Sequence, residues 1–264
     1  MRVGIIGLGV VGNANKKGFE TLDHEVSFHD IKLNTKLEDV LNTSAVFICV
    51  PTPSLEDGGC DTSILESVIH DLHELNYAGI IAIRSTAVPG FTQTMVEKYS
   101  NNSICFVPEF LRERCAVEDF IKNHNVLAIG TNNDYVYETI SSIHGFLPKQ
   151  TVRLSPTEAE LLKYFNNVYA SLRIVFANVF FEASKKLNCD YDAIKNAYIK
   201  TGKALDMYLD VSDSLRGYGG MCLPKDTKAF AKLLIDNNLD FKIIESINDD
   251  NDKFKKTVYN GMRI

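Results

Sequence analysis

Arg2-Val3-Gly4-Ile5-Ile6-Gly7-Leu8-Gly9-Val10-Val11-Gly12 is the stretch on which the fold turns. Val3, Ile5 and Ile6 make a short apolar run that ends on glycine, as a buried strand does. Gly7, Gly9 and Gly12 then have the G-x-G-x-x-G spacing, and residues 12–21 are able to continue as a helix. The spacing alone is a weak signal; its context strengthens it. A second strand, residues 26–29, ends at Asp30, eighteen positions beyond Gly12. Strand, glycine turn, helix and a distant acid together form a dinucleotide-binding fingerprint. The glycines, with Val10 and Val11 between them, would bring backbone close to a pyrophosphate at the helix N-terminus. Asp30 would accept hydrogen bonds from ribose hydroxyls and repel a 2′-phosphate, which predicts NAD over NADP. Lys32 weakens only the second half of that inference.

Outward from this stretch the pattern repeats. Residues 45–50 are a continuous apolar run stopped by Pro51 and Pro53, the profile of a buried parallel strand. Residues 63–75 have helical spacing. Residues 79–83, 103–107 and 126–130 read as further strands. The alternation predicts an α/β fold, a doubly wound parallel sheet with helices on both faces, over residues 1–154. At Ser155 the pattern changes. Ser155-Pro156-Thr157-Glu158 is a helix start: a capping serine, proline at the first helical position, then an acid in the first turn. A long apolar helix follows, with helices also expected at 191–205 and 227–237. The second domain, residues 155–264, is therefore read as all-helical, with a polar cluster at 248–255 that would fray.

Composition narrows the function classes. The net charge of −6 argues against a nucleic-acid binder. Six cysteines without a C-x-x-C pair suggest neither a zinc site nor a disulfide framework, and fit reduced cytoplasmic thiols. The N-terminus runs into a strand rather than a basic, then apolar, leader. No apolar run approaches the roughly 18 residues a membrane helix needs.

Chemistry concentrates in Gly217-Tyr218-Gly219-Gly220-Met221-Cys222-Leu223-Pro224-Lys225-Asp226. A cysteine behind a glycine turn, with a lysine and an aspartate just after it, has the surroundings of a nucleophile rather than of a small buried hydrophobe. Lys163 and Asn167 lie four residues apart on the apolar helix, so they share a face. There they need partners or a ligand, unless Lys163 is simply solvated near the helix start. Glu109 and Glu113 follow a strand, at the carboxyl edge of the sheet where α/β ligands bind, and so do Ser85 and Thr86. A charged loop with internal ion pairs is the plainer reading of the two glutamates, and a turn that of Ser85 and Thr86.

The chain resembles the nucleotide-sugar (UDP-glucose/GDP-mannose) dehydrogenase family over nearly its whole length. The likeness rests on Gly7 to Gly12, Val50-Pro51-Thr52-Pro53, Arg84-Ser85-Thr86-Ala87-Val88-Pro89-Gly90, Pro108 to Glu113, Lys163 to Asn167, and Gly217 to Asp226. The resemblance implies oxidation of the C6 primary alcohol of a nucleotide sugar by two hydride transfers to NAD. UDP-glucose comes first as substrate, then GDP-mannose or a UDP-N-acetylhexosamine. Cys222 would be the nucleophile. Lys163 and Asn167 would stabilise oxyanions, and Asp226 would position the hydrolytic water and Lys163. Glu109 would be an acid/base candidate, and Thr86 would hold a water. Pro51, Thr52, Thr86 and Glu113 would border the cofactor. Phe110, Leu111, Gly219 and Lys225 would border the substrate. The resemblance also implies a homodimer through residues 161–181. Family members continue into a third, nucleotide-gripping domain beyond the point that Ile264 corresponds to. Three departures stand beside this: residues 205–209 lack a usual arginine, the loop 211–216 differs from the usual Asn- and Pro-containing loop, and Arg84 replaces a usual lysine, a mild change. Two other readings use the same Rossmann-plus-helical layout: a single-step hydroxyacid-type dehydrogenase, and a non-catalytic NAD-binding dimer.

Overall fold

The computed structural model describes residues 1–257. The chain divides into two compact units. The first comprises Met1–Leu55 and Cys60–Lys163; the second comprises Glu56–Gly59 and the chain from Tyr164 onward.

The first unit is built on a seven-stranded sheet. In chain order its elements are β1 (Arg2–Ile6), α1 (Val10–Glu20), β2 (Glu25–His29), β3 (Ala45–Ile48), α2 (Ser63–Glu74), β4 (Ile80–Ile83), α3 (Phe91–Lys98), β5 (Ser103–Phe106), α4 (Ala116–Ile121), β6 (Leu127–Gly130), α5 (Asp134–His144) and β7 (Thr151–Leu154). The strand order is β2-β1-β3-β4-β5-β6-β7. The pairings are parallel except β5 with β6, which meet antiparallel at Phe106 and Gly130. The central strands are apolar on both faces because both are covered. Val3, Ile5, Ala45, Phe47, Ile80 and Ala82 pack into one layer. Their alternates Ile6, Val46, Ile48, Ile81 and Ile83 pack into the other. The expected α/β doubly wound architecture is therefore present, with one antiparallel step.

A single helix, α6 (Pro156–Lys186), leads from the first unit into the second. Its start is a reciprocal capping box: the Ser155 amide donates to Glu158 Oε2 at 2.8 Å, and the Glu158 amide donates to Ser155 Oγ at 3.3 Å. The second unit adds α7 (Tyr191–Lys200), β8 (Gly217–Tyr218), α8 (Leu223–Asp236), α9 (Ile243–Asp252) and β9 (Lys256–Thr257). Val168, Val175, Tyr218, Ile244 and Ile247 form its main core.

Several boundaries differ from the sequence expectation. α7 ends at Lys200, not 205, because Gly202 sits at φ 73° just after it. α8 starts at Leu223, four residues before the expected 227, since Pro224 is accommodated in a first turn. The cluster expected to fray is helical through Asp252, with Asn251 buried. No helix among the described residues is long and apolar enough to cross a membrane.

Candidate active site

The glycine loop has three glycines with three different reasons. Gly7 sits at φ 89°, and a Cβ there would lie 2.7 Å from the Cys49 carbonyl oxygen. A Cβ on Gly12 would lie 1.9 Å from the Gly7 carbonyl oxygen, so α1 packs against the turn only if that position is bare. Gly9 faces open space, with nothing within 4 Å of a built Cβ. Beyond it begins α1, whose first amides, those of Val10, Val11 and Gly12, precede any i−4 partner within the helix. A bare backbone facing open space at a helix N-terminus fits a pyrophosphate. Asp30 closes the loop: Oδ2 accepts from the Leu8 amide at 2.7 Å and Oδ1 from the Lys32 amide at 2.8 Å. These two backbone bonds hold its carboxyl below the usual carboxylate range, so it is present as an acceptor.

The loops that follow β3 and β4 are tied together. Ser85 Oγ donates to the Val50 carbonyl at 2.8 Å. The Cys60 thiol reaches the Thr52 carbonyl at 3.9 Å and the Thr86 carbonyl at 3.7 Å. Thr52 is buried, Thr86 half-buried and Pro51 exposed. Arg84, at the end of β4, is buried. Its Nε donates to Asn15 Oδ1 at 3.0 Å, and its Nη1 reaches the Val107 and Pro108 carbonyls at 3.3 and 3.4 Å. It thus holds the chain just ahead of Glu109.

Glu109 and Lys163 form a buried ion pair. Lys163 Nζ donates to Glu109 Oε1 at 2.7 Å and to the Glu109 carbonyl at 2.6 Å. Glu109 Oε2 accepts from the Leu111 amide at 2.7 Å. Burial pushes the Glu109 carboxyl up, but the Lys163 ammonium, the Leu111 amide and Arg84 outweigh it and hold the group below the usual range. In this state Glu109 is ionised and acts as a charge partner of Lys163. Sequence reasoning did not foresee Glu109 as a partner of Lys163 within the first unit. Phe110, Leu111 and Glu113 follow half-buried, Glu113 opening a 3₁₀ turn. That loop is pinned by Arg112, whose Nη2 lies 2.6 Å from Asp119 Oδ1. Burial raises Asp119, but bonds from the Arg112 side chain and amide and from Asn123 prevail and bring it to about 2.

One turn earlier on α6 is a residue sequence reasoning missed. Glu160 is fully buried, and its two oxygens accept from the Gly90 amide at 2.6 Å and the Thr92 amide at 2.7 Å. Gly90 is the N-cap of α3 and has no side chain with which to cap it. Glu160 supplies that cap from seventy positions away.

In the second unit Cys222 is exposed and is the N-cap of α8. Its carbonyl accepts from the Asp226 amide at 2.9 Å. Asp226 is fully buried. Its Oδ2 accepts from Asn167 Nδ2 at 2.5 Å, and its Oδ1 lies 2.7 Å from Lys225 Nζ. The Asn167 carbonyl accepts from Ser171 Oγ at 3.0 Å, and Ser171 Oγ accepts from Thr227 at 2.8 Å. Gly219 and Gly220 lead into the cysteine, with Gly220 at φ 76°. Cys222, Asn167, Lys225 and Asp226 thus belong to one local network around the start of α8. The buried acceptor of Asn167 had no local sequence signal, because 59 residues separate the partners.

Two models of one family match this chain. The UDP-glucose/GDP-mannose dehydrogenase family NAD binding domain covers residues 29–147, and the central domain of the same family covers residues 157–253. The chain belongs to the UDP-glucose/GDP-mannose dehydrogenase family. The first match begins at residue 29, beyond the glycine loop. The first unit contains the family's NAD-binding domain. Among curated relatives, UDP-glucose 6-dehydrogenase of Rickettsia bellii is 32% identical over 242 residues, 86% of this chain and 53% of the relative. The chain spans about half the length of that relative. Among solved structures, a UDP-glucose dehydrogenase from Pyrobaculum islandicum aligns with a TM-score of 0.87 at 25% identity, covering 96% of this chain and 68% of that one. A 3-hydroxyisobutyrate dehydrogenase from Mycobacterium tuberculosis aligns with a TM-score of 0.78 at 12% identity, over 96% and 93% of the two chains. That second likeness is of fold alone.

Proposed function

We propose that this chain carries the oxidising machinery of a nucleotide-sugar 6-dehydrogenase. It would convert the C6 primary alcohol of a nucleotide sugar, UDP-glucose first, to the uronic acid. NAD held by Gly7 to Gly12 and Asp30 would take up one hydride in each of two oxidations, so one sugar and one water yield one carboxylate, two NADH and three protons. The observation that carries the reading is Cys222 at the start of α8, beside the buried Asp226–Asn167 pair.

Sulfur at a helix N-terminus lies where the peptide dipoles favour negative charge. Its thiolate would add to the aldehyde carbon left by the first oxidation, giving a thiohemiacetal. The second oxidation would give a thioester, and water would release the acid and regenerate the thiol. Covalent capture keeps the aldehyde from escaping. Lys163 and Asn167 would face the oxygen that gains charge at each stage; one such donor is typically worth about 3 kcal/mol. Glu109, held ionised, is suited to accept a proton from the attacking water. Pro51, Thr52, Thr86 and Glu113 would line the cofactor; Phe110, Leu111, Gly219 and Lys225 the sugar nucleotide. The division of labour would follow residues 1–154 and 155–264.

The same reading includes a second copy of the chain. Phe165, Tyr169, Phe176 and Phe180 are exposed on α6 at helical spacing, and such an apolar stripe is suited to a twofold interface. A cytoplasmic biosynthetic role, supplying uronic acid for polysaccharide, completes the proposal.

The test is NADH formation against a panel of nucleotide sugars, with Cys222→Ser alongside. Two NADH per sugar and loss of turnover in the variant are expected. One NADH per 2-hydroxy acid, with the variant unimpaired, would replace the reading with a hydroxyacid dehydrogenase. NAD binding without turnover on any substrate would leave a binding dimer.

A further inference from the structure

We infer that Asn251, on the last turn of α9, is a positioning residue that fixes the course of the loop carrying Cys222. The inference rests on Cys222 being the nucleophile proposed above. Asn251 is buried, 3% exposed, in a segment otherwise rich in exposed polar residues. Its Oδ1 accepts from the Tyr218 amide at 2.9 Å and its Nδ2 donates to the Tyr218 carbonyl at 3.1 Å. A side-chain amide here pairs with the backbone as a neighbouring strand would. Gly217 belongs to the same fit: a Cβ there would lie 2.6 Å from Asn251 Oδ1. β8 also pairs with β9 at Gly217 and Tyr218, so this end of the loop is held on both sides.

The need for such a clamp follows from what comes next. Between Tyr218 and Cys222 lie Gly219, Gly220 and Met221. Two adjacent glycines impose little direction on the chain, and Gly220 takes φ 76°. The path of such a loop is set by its two ends. The downstream end is the first turn of α8, held by the Asp226 amide on the Cys222 carbonyl. The upstream end is Tyr218, held by Asn251. Loosening it would let the sulfur wander from the helix start, and catalytic groups lose rate steeply with sub-ångström to ångström misplacement.

The test uses the whole chain. Iodoacetamide alkylation at Cys222 is followed by mass spectrometry, with exposed Cys189 as internal reference, in wild type, Asn251→Ala, Asn251→Asp and Asn248→Ala. The Asp variant keeps the acceptor for the Tyr218 amide and loses the donor. The Asn248 variant removes one partner of the Tyr218 hydroxyl, 3.1 Å away, and leaves the two backbone bonds of Asn251 intact. We expect alkylation at Cys222 to fall about threefold in Asn251→Ala and by less in Asn251→Asp. Cys189 and the Asn248 variant should be unchanged. With nucleotide sugar, kcat should fall about tenfold at unchanged KM for NAD. Wild-type alkylation at Cys222 in a folded Asp variant, or equal change at both cysteines, would overturn the inference. So would failure of both Asn251 variants to fold, since the residue would then be a determinant of folding. If the wild type oxidises no nucleotide sugar, the functional reading fails while the alkylation result still decides this one.

Discussion

Lys163→Met removes one charge from a pair that has little water to fall back on. Lys163 Nζ makes two short bonds to Glu109, at 2.6 and 2.7 Å, and both side chains are more than nine-tenths buried. Breaking a buried pair by deleting one partner costs about 3–5 kcal/mol, chiefly because the other charge is left uncompensated. Here Glu109 keeps the Leu111 amide and the field of Arg84. The cost should therefore fall at the low end, about 3 kcal/mol at neutral pH. Glu109→Gln together with Lys163→Met removes both members of the pair and should recover about 2 kcal/mol of it, a coupling within the range for contacting residues. Urea unfolding followed by circular dichroism measures each term. The pH dependence has a definite sign. The folded-state carboxyl of Glu109 lies below its ordinary value of 4.5, so the unfolded chain takes up the proton first. The wild type holds this contribution above that value and loses it as pH falls through the folded one. In Lys163→Met the dominant remaining influence is burial, which raises the carboxyl and favours the protonated form. The gap between the two proteins should therefore narrow as pH is lowered past 4.5. A cost under about 1 kcal/mol, or a gap that is the same at neutral pH and in acid, would refute the reasoning.

Two further outcomes follow from the structure. Gly12→Ala places a methyl 1.9 Å from the Gly7 carbonyl, a clash between two backbone segments; it should abolish NAD binding by calorimetry and cost about 4 kcal/mol or more in urea, and ordinary binding would remove the glycine loop from the argument. Phe176→Glu with Phe180→Glu charges the middle of the exposed stripe on α6, where the two rings lie 4.7 Å apart; sedimentation should show the wild type as a dimer and the variant as a monomer with its helix content intact, whereas two species of equal mass would dismiss the interface.

The parts of the fold legible in the sequence were those with a local pattern. Ala45 to Ile48 is buried on both faces and reads as an unbroken apolar run. The capping box at Ser155 and Glu158 is spelled out within four residues. β7 escaped notice because Thr151 to Leu154 is an edge strand with Val152 and Arg153 exposed, so its composition carries no burial signal. α9 escaped because Asn248, Asp249, Asp250 and Asp252 mask the buried Ile244, Ile247 and Asn251 between them. The candidate site divides the same way. Cys222, Lys225 and Asp226 are neighbours in sequence and were read together. Glu160, Asn251 and Arg84 act on backbone groups of distant segments, and a backbone donor or acceptor leaves no mark on the residue type that carries it. Lys163 was recognised, but its bond to Glu109, in a strand-end loop 54 positions away, was not.

The Glu160 cap on α3 bears on how the nucleotide-binding half can be dissected. Its oxygens reach back to the amides of Gly90 and Thr92, so an excised fragment ending at residue 154 would leave those two donors to water, and would shed Lys163 as well. A fragment that includes the opening turns of α6 keeps both. By the same reasoning, α3 of a chain emerging from the ribosome lacks this cap until those turns have been synthesised.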